Sequence, residues 1–137
     1  MKHTHHKVVL VNIIDDALIV TVDRELDDMH LTTIQNVVLN KITTQTLKGV
    51  LIDFSGVEIL DTYLANKIID LSEMIKLMGV VPVVVGLRPE VIASLVMLGF
   101  TANNLMTALN VGYGIELLRS MLSETDEMNN KKEEDPK

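Results

Sequence analysis

The chain has 137 residues, no cysteine and a formal net charge of −7, which suits one domain and excludes disulfides, thiolate metal sites and cysteine nucleophiles. Hydrophobic residues make up 47% but aromatics only 3%, so the core is built from Val, Ile, Leu and Met, and so aliphatic a small chain leaves apolar surface for partners. No Lys/Arg cluster is placed to displace counterions from a nucleic acid, and the longest apolar run, Val80 to Val85 around Pro82, is far short of the roughly 20 residues that cross a bilayer.

In chain order, residues 1–6 read as a flexible N-terminus without a signal-peptide cleavage pattern, and together with the lack of cysteine this points to the cytoplasm. His3, His5 and His6 are spaced closely enough to chelate, but a structural metal site needs four ligands on an ordered frame, so no metal is expected. Val8 to Ile14 and Ala17 to Val22 are β-rich runs joined by Asp15-Asp16, the pattern of a hairpin. Asp27 and Asp28 offer N-cap oxygens to a helix whose inner face is Leu31, Ile34, Val38 and Ile42, ending by Gly49, with His30 a solvated residue near its start. Val50 to Phe54 is a strand covered on both faces. Leu64, Ile68, Leu71, Ile75 and Met78 form the most regular helical stripe, closed by Gly79. Val81 to Val85 is a further strand, and Arg88-Pro89-Glu90 opens a helix with Val91, Leu95 and Leu98 facing inward. A short strand falls within Leu105 to Ala108. Ile115, Leu118 and Leu122 mark a last helix, begun through Gly112 and Gly114.

Beyond Leu122 the chain turns polar. Residues 123–137 carry −3 of the net charge and only Met128 as a sizeable apolar side chain, so they read as a disordered acidic tail. The domain proper is residues 7–122. Its hairpin followed by alternating helices and strands predicts the α/β class: one mixed, mostly parallel sheet of four to five strands with about four helices on its faces. In such sheets ligands gather at the carboxyl ends of the strands, and the longest connection there is Asp53 to Thr62.

That loop fails the usual tests for catalysis. Neither a Gly-rich turn after the first strand nor a phosphate-cradling Gly-x-x-x-x-Gly-Lys-Ser/Thr occurs, and Gly112-Tyr113-Gly114 reads as the start of a helix. Every histidine lies before residue 31, so nothing supports a Ser-His-Asp arrangement at the loop. Asp53 and Asp61 have an ordinary reading as turn and cap residues. No enzyme activity and no cofactor are expected.

The run Leu51-Ile52-Asp53-Phe54-Ser55-Gly56-Val57-Glu58-Ile59-Leu60-Asp61-Thr62 resembles the strand-loop-helix signature of STAS domains. Ser72-Glu73-Met74-Ile75-Lys76-Leu77-Met78-Gly79, and Val85-Gly86-Leu87-Arg88-Pro89-Glu90 continuing to Leu98-Gly99, are similar to the stressosome branch of that family, the RsbS/RsbR type. The resemblance spans about residues 7–122. It implies a STAS fold and a non-catalytic scaffold that assembles as a homo-oligomer and with RsbR-type STAS paralogues. Such a scaffold holds an RsbT-type serine/threonine kinase and releases it on phosphorylation. By position, Thr62 is the principal acceptor, Ser94 a second one, and Asp53, Ser55, Gly56, Glu58, Asp61 and Thr62 form the partner-binding loop. The free-standing members usually carry Ser where this chain has Thr62. A first strand close to the N-terminus and the turn Glu25-Leu26-Asp27-Asp28 nevertheless resemble the RsbS form. Two other readings stand beside this one: a simple anti-sigma factor antagonist acting directly on an anti-sigma kinase, and a small nucleotide-binding α/β protein.

Overall fold

The hairpin that opens the fold turns on two residues that accept a left-handed backbone. In the computed structural model, which describes residues 9–101 and 105–134, Asp15 and Asp16 have φ of 51° and 65°, the geometry of a two-residue turn whose twist matches the flanking strands. They join β1 (Leu10–Ile14) to β2 (Ala17–Thr21), paired antiparallel with Ile14 opposite Ala17. The N-terminal histidines lie outside the described residues.

From β2 onward the chain alternates as expected: α1 (Asp28–Thr44), β3 (Gly49–Asp53), α2 (Thr62–Leu77), β4 (Val81–Val85), α3 (Pro89–Met97), β5 (Thr107–Ala108) and α4 (Val111–Glu134). The sheet order is β1-β2-β3-β4-β5, with every pair after the first parallel. The expected sheet of four to five strands is thus a mixed five-stranded one with four helices among the described residues.

Strand alternation divides the core between the two faces of the sheet. Leu18, Val20, Val50, Ile52 and Val84 point to one side, where α1, α2 and α3 bring Ile34, Val38, Ile68, Leu71, Ile75, Val91 and Leu95. Ala17, Ile19, Leu51, Val83 and Val85 point to the other, where α4 packs through Leu118. The helix comes unusually close to the strands there. A Cβ on Gly114 would stand 2.8 Å from both Leu51 Cδ2 and Val85 Cγ1, and one on Gly49 would stand 2.4 Å from Leu118 Cδ2. Gly114 therefore does more than start a helix, because it lets the α4 backbone settle onto β3 and β4.

The structure departs from the sequence expectations at several positions. His30 is buried at 1% exposure rather than solvated, because it precedes Ile34 by one helical turn and shares its inward face. Met78 and Leu98 are half-exposed rather than part of their stripes. Both are C-cap residues, where the backbone leaves the helix and the period no longer sets direction. The last helix, read as ending at Leu122 before a disordered tail, continues to Glu134. The sequence has neither Gly nor Pro from Ile115 to Asp135, and a helix already nucleated by packing propagates at little cost through Glu, Lys and Met.

Candidate functional site

The parallel strands β2, β3 and β4 all end on one rim of the sheet, which gathers the connections after them: residues 22–27, 54–61 and 86–88. The central one, between β3 and α2, is fixed at both ends. Val22 N–H donates to Asp53 O at 3.0 Å and Phe54 N–H to Val85 O at 2.9 Å, while Val57 N–H donates to Phe54 O at 2.9 Å and closes a turn. Phe54, Val57 and Leu60 are buried in the core, so the loop is held down by three apolar side chains. The residues between them face water: Ser55, Gly56 and Glu58 are exposed, and Ile59 is 83% exposed.

The loop ends in a helix cap. Asp61 has an extended backbone and its Oδ1 accepts from Leu64 N–H at 2.8 Å, which makes it the N-cap of α2 and Thr62 the first helical residue. This geometry satisfies one of the helix's unpaired amides and turns the Thr62 side chain outward. Thr62 is exposed, as the sequence reading requires of a residue that an enzyme must reach. The next residue ties the two neighbouring helix starts together, since Tyr63 OH donates to Asp28 Oδ1 at 3.0 Å and the Lys67 ammonium lies 5.5 Å from the Tyr63 ring centre.

Asp53, half-buried at the end of β3, accepts from Ser55 N–H at 2.9 Å through Oδ1. That carboxylate is engaged in shaping the turn. Gly86 faces it, with a φ of 74° and space for no side chain, since a Cβ would lie 2.7 Å from Asp53 Oδ1 and 3.1 Å from Ser55 N. Two arginines, neither singled out by the sequence reading as a site residue, join the loop to its neighbours. Arg88 Nε donates to Ser55 O at 3.1 Å, and Glu58 lies 3.6 Å from the Arg24 guanidinium and 3.9 Å from that of Arg88. These pairs are solvent-exposed and worth at most about 1 kcal/mol each. Their effect is to hold three loops in one surface. Ser94 is exposed on α3.

Among the described residues no three His, Asp or Glu side chains come together as a metal site, and His30, on α1, makes no hydrogen bond through either ring nitrogen. What the rim offers is a shallow groove of about 350 Å³ between Arg24, Glu25 and Leu26 on one side and Glu58, Ile59, Asp61 and Leu64 on the other. It combines an exposed aliphatic side chain with mixed charges and adjoins the helix start at Thr62, which suits contact with another protein surface.

The family model for the STAS domain matches residues 8–112. The chain belongs to the STAS family. This STAS domain is 28% identical over 112 residues to the RsbT co-antagonist protein RsbRA of Bacillus subtilis, an alignment covering 82% of this chain and 41% of that protein. To RsbRD of the same organism it is 34% identical over 83 residues, covering 61% and 30%. It therefore spans less than half the length of these curated relatives. Among solved structures, an RsbS variant from Moorella thermoacetica superposes with a TM-score of 0.73 and 28% identity, over 84% of this chain and 97% of that one. A chain from the molecular architecture of the stressosome gives a TM-score of 0.71 and 27% identity, over 82% and 98%. The phosphorylated form of SpoIIAA from Bacillus, at 11% identity and a TM-score of 0.60, shares the fold. The stressosome-type STAS resemblance drawn from the three sequence motifs is thus borne out, with likeness to RsbS in structure and to RsbR proteins in sequence. No helix among the described residues is long and apolar enough to cross a membrane.

Proposed function

We propose that this STAS domain is a non-catalytic scaffold of the stressosome type, which holds an RsbT-type serine/threonine kinase against the β3–α2 rim and releases it when Thr62 is phosphorylated. The observation that carries this reading is Thr62 itself: an exposed hydroxyl at the first position of α2, capped by Asp61 and next to the exposed Ile59. A phosphate there adds about −1.5 to −2 charges. The helix tolerates it, because the amides of the first turn and the helix dipole favour an anion. A docked protein does not, because it would have to bury an unpaired, strongly hydrated charge beside Asp61, at a cost of several kcal/mol. A loss of only about 2.7 kcal/mol weakens binding a hundredfold. On this reading the partners are the kinase, RsbR-type paralogues and further copies of the chain, in the cytoplasm. Asp53, Gly56 and Ser55 shape the docking loop, while Glu58, Asp61 and Thr62 face the partner. Ser94, exposed on α3, is a second acceptor under the same reading.

The test is to mix the chain with the co-encoded kinase and ATP, map the modified residues by mass spectrometry and follow retention of the kinase. Phosphate is expected on Thr62. Thr62→Glu is expected to fold normally and hold the kinase at least about tenfold more weakly, while Thr62→Ala stays bound in ATP. Equal retention by Thr62→Glu and the unmodified chain overturns the switch.

A further inference from the structure

A cavity of about 510 Å³ opens between α2, α3 and the β4–β5 end of the sheet. Its floor includes Phe54, Leu60, Val84 and Leu95, each less than one-tenth exposed, and its mouth includes Ile92 and Val96, which are 45% and 64% exposed. Among the described residues that line it, Thr101 and Thr107 bring the only polar side chains and none is charged. Its volume falls within the range of about 300–1,000 Å³ typical of small-molecule sites, which are likewise mostly apolar with a few polar groups.

We propose that this cavity binds an uncharged, largely hydrocarbon small molecule carrying one or two hydrogen-bonding atoms. Charge decides the class: with no cation or anion among the described wall residues, a carboxylate or ammonium would enter unpaired, whereas a hydroxyl or carbonyl can meet a threonine hydroxyl. The occupant also touches the switch region, because Leu60 and Ala65 on the cavity wall flank Thr62 in sequence and anchor the turn that presents it. Occupancy stiffens that turn. The regulatory meaning of this contact rests on the Thr62 reading above; the binding does not.

The experiment titrates the full chain with the neutral fluorophore N-phenyl-naphthylamine. Saturable binding at one site per chain is expected, with displacement by decanol at least about tenfold better than by ionised decanoate. Val96→Trp, which fills the mouth from a half-exposed position, is expected to weaken binding at least about tenfold, while Leu10→Trp on the far edge strand leaves it unchanged. Amide NMR shifts on adding decanol are expected to include Leu60 to Ala65, a readout that needs no kinase. Absence of saturation, equal competition by decanoate, or full binding by Val96→Trp overturns the site. Conversion of a dimer to a monomer by Val96→Trp, with no probe bound, shows a second copy covering the cavity and equally overturns it. Shifts that spare Leu60 to Ala65 overturn the link to Thr62.

Discussion

Gly86 and Gly79 offer a controlled comparison of what shapes the β3–α2 loop. Both have a left-handed backbone, with φ of 74° and 81°, but a Cβ on Gly79 meets nothing within 4 Å while one on Gly86 lies 2.7 Å from Asp53 Oδ1 and 3.1 Å from Ser55 N. Gly79→Ala therefore incurs only the conformational cost of alanine at positive φ, about 1–2 kcal/mol. Gly86→Ala incurs the same and also drives the Asp53 carboxylate from its position, breaking its bond to Ser55 N–H, worth about 0.5–1.5 kcal/mol. The Cβ contact adds strain of its own, so the total is about 2–4 kcal/mol. Urea unfolding of the two variants measures the difference, with the slope of the transition checked for constancy. The extra loss at Gly86 is local to the rim, so if Thr62 is the acceptor proposed above it is accompanied by altered phosphorylation of Thr62, whereas Gly79→Ala leaves that rate unchanged. Equal destabilisation of the two variants, to within about 0.5 kcal/mol, refutes the claim that Gly86 keeps space for the Asp53 turn.

Three further outcomes follow from the same geometry. Asp61→Ala removes the cap bond to Leu64 N–H and is expected to cost about 1 kcal/mol by urea unfolding, with Asp61→Asn retaining most of it. Ile59→Ala, at a residue 83% exposed, leaves stability within about 0.5 kcal/mol but weakens kinase retention in a pull-down if the rim is the docking surface; unchanged retention removes Ile59 from that surface. His30→Leu is expected to be neutral or stabilising by up to about 1 kcal/mol in thermal unfolding, since it replaces ring nitrogens without hydrogen-bond partners among the described residues by hydrocarbon. A clear loss of stability indicates that the imidazole has a partner.

Much of this fold is written in local pattern. The turn at Asp15-Asp16, the cap at Asp61 and the stripe Ile68, Leu71 and Ile75 each follow from a residue type at a required spacing, and each is found where that spacing puts it. The exposure of Thr62 follows from the same logic, because a residue just after an N-cap begins a turn whose inward positions come later. The polarity of His30 suggests water, while its place in the helix period points inward, where it is buried. Here the helix period, set by Ile34 and Val38 on the same face, outweighs the preference of the side chain. The roles of Arg24 and Arg88 are invisible in sequence, since Glu58 meets them only when three separate connections converge on one rim. The cavity between α2 and α3 is hidden for a related reason: a list of apolar residues tells which side chains seek the interior, but not whether they fill it.

Helix α4 has a mechanical consequence. At 1.5 Å per residue its 24 residues extend about 36 Å, while a five-residue strand such as β3 extends about 17 Å. Its apolar contacts with the sheet lie toward its first half, through Val111, Ile115, Leu118 and Leu122, so the helix continues for residues 123–134 beyond those contacts. Any neighbour approaching that end meets a lever about two turns or more in length before it meets the sheet. Where copies of the chain assemble as proposed above, the spacing on that side is set by the reach of a rod rather than by the width of the domain.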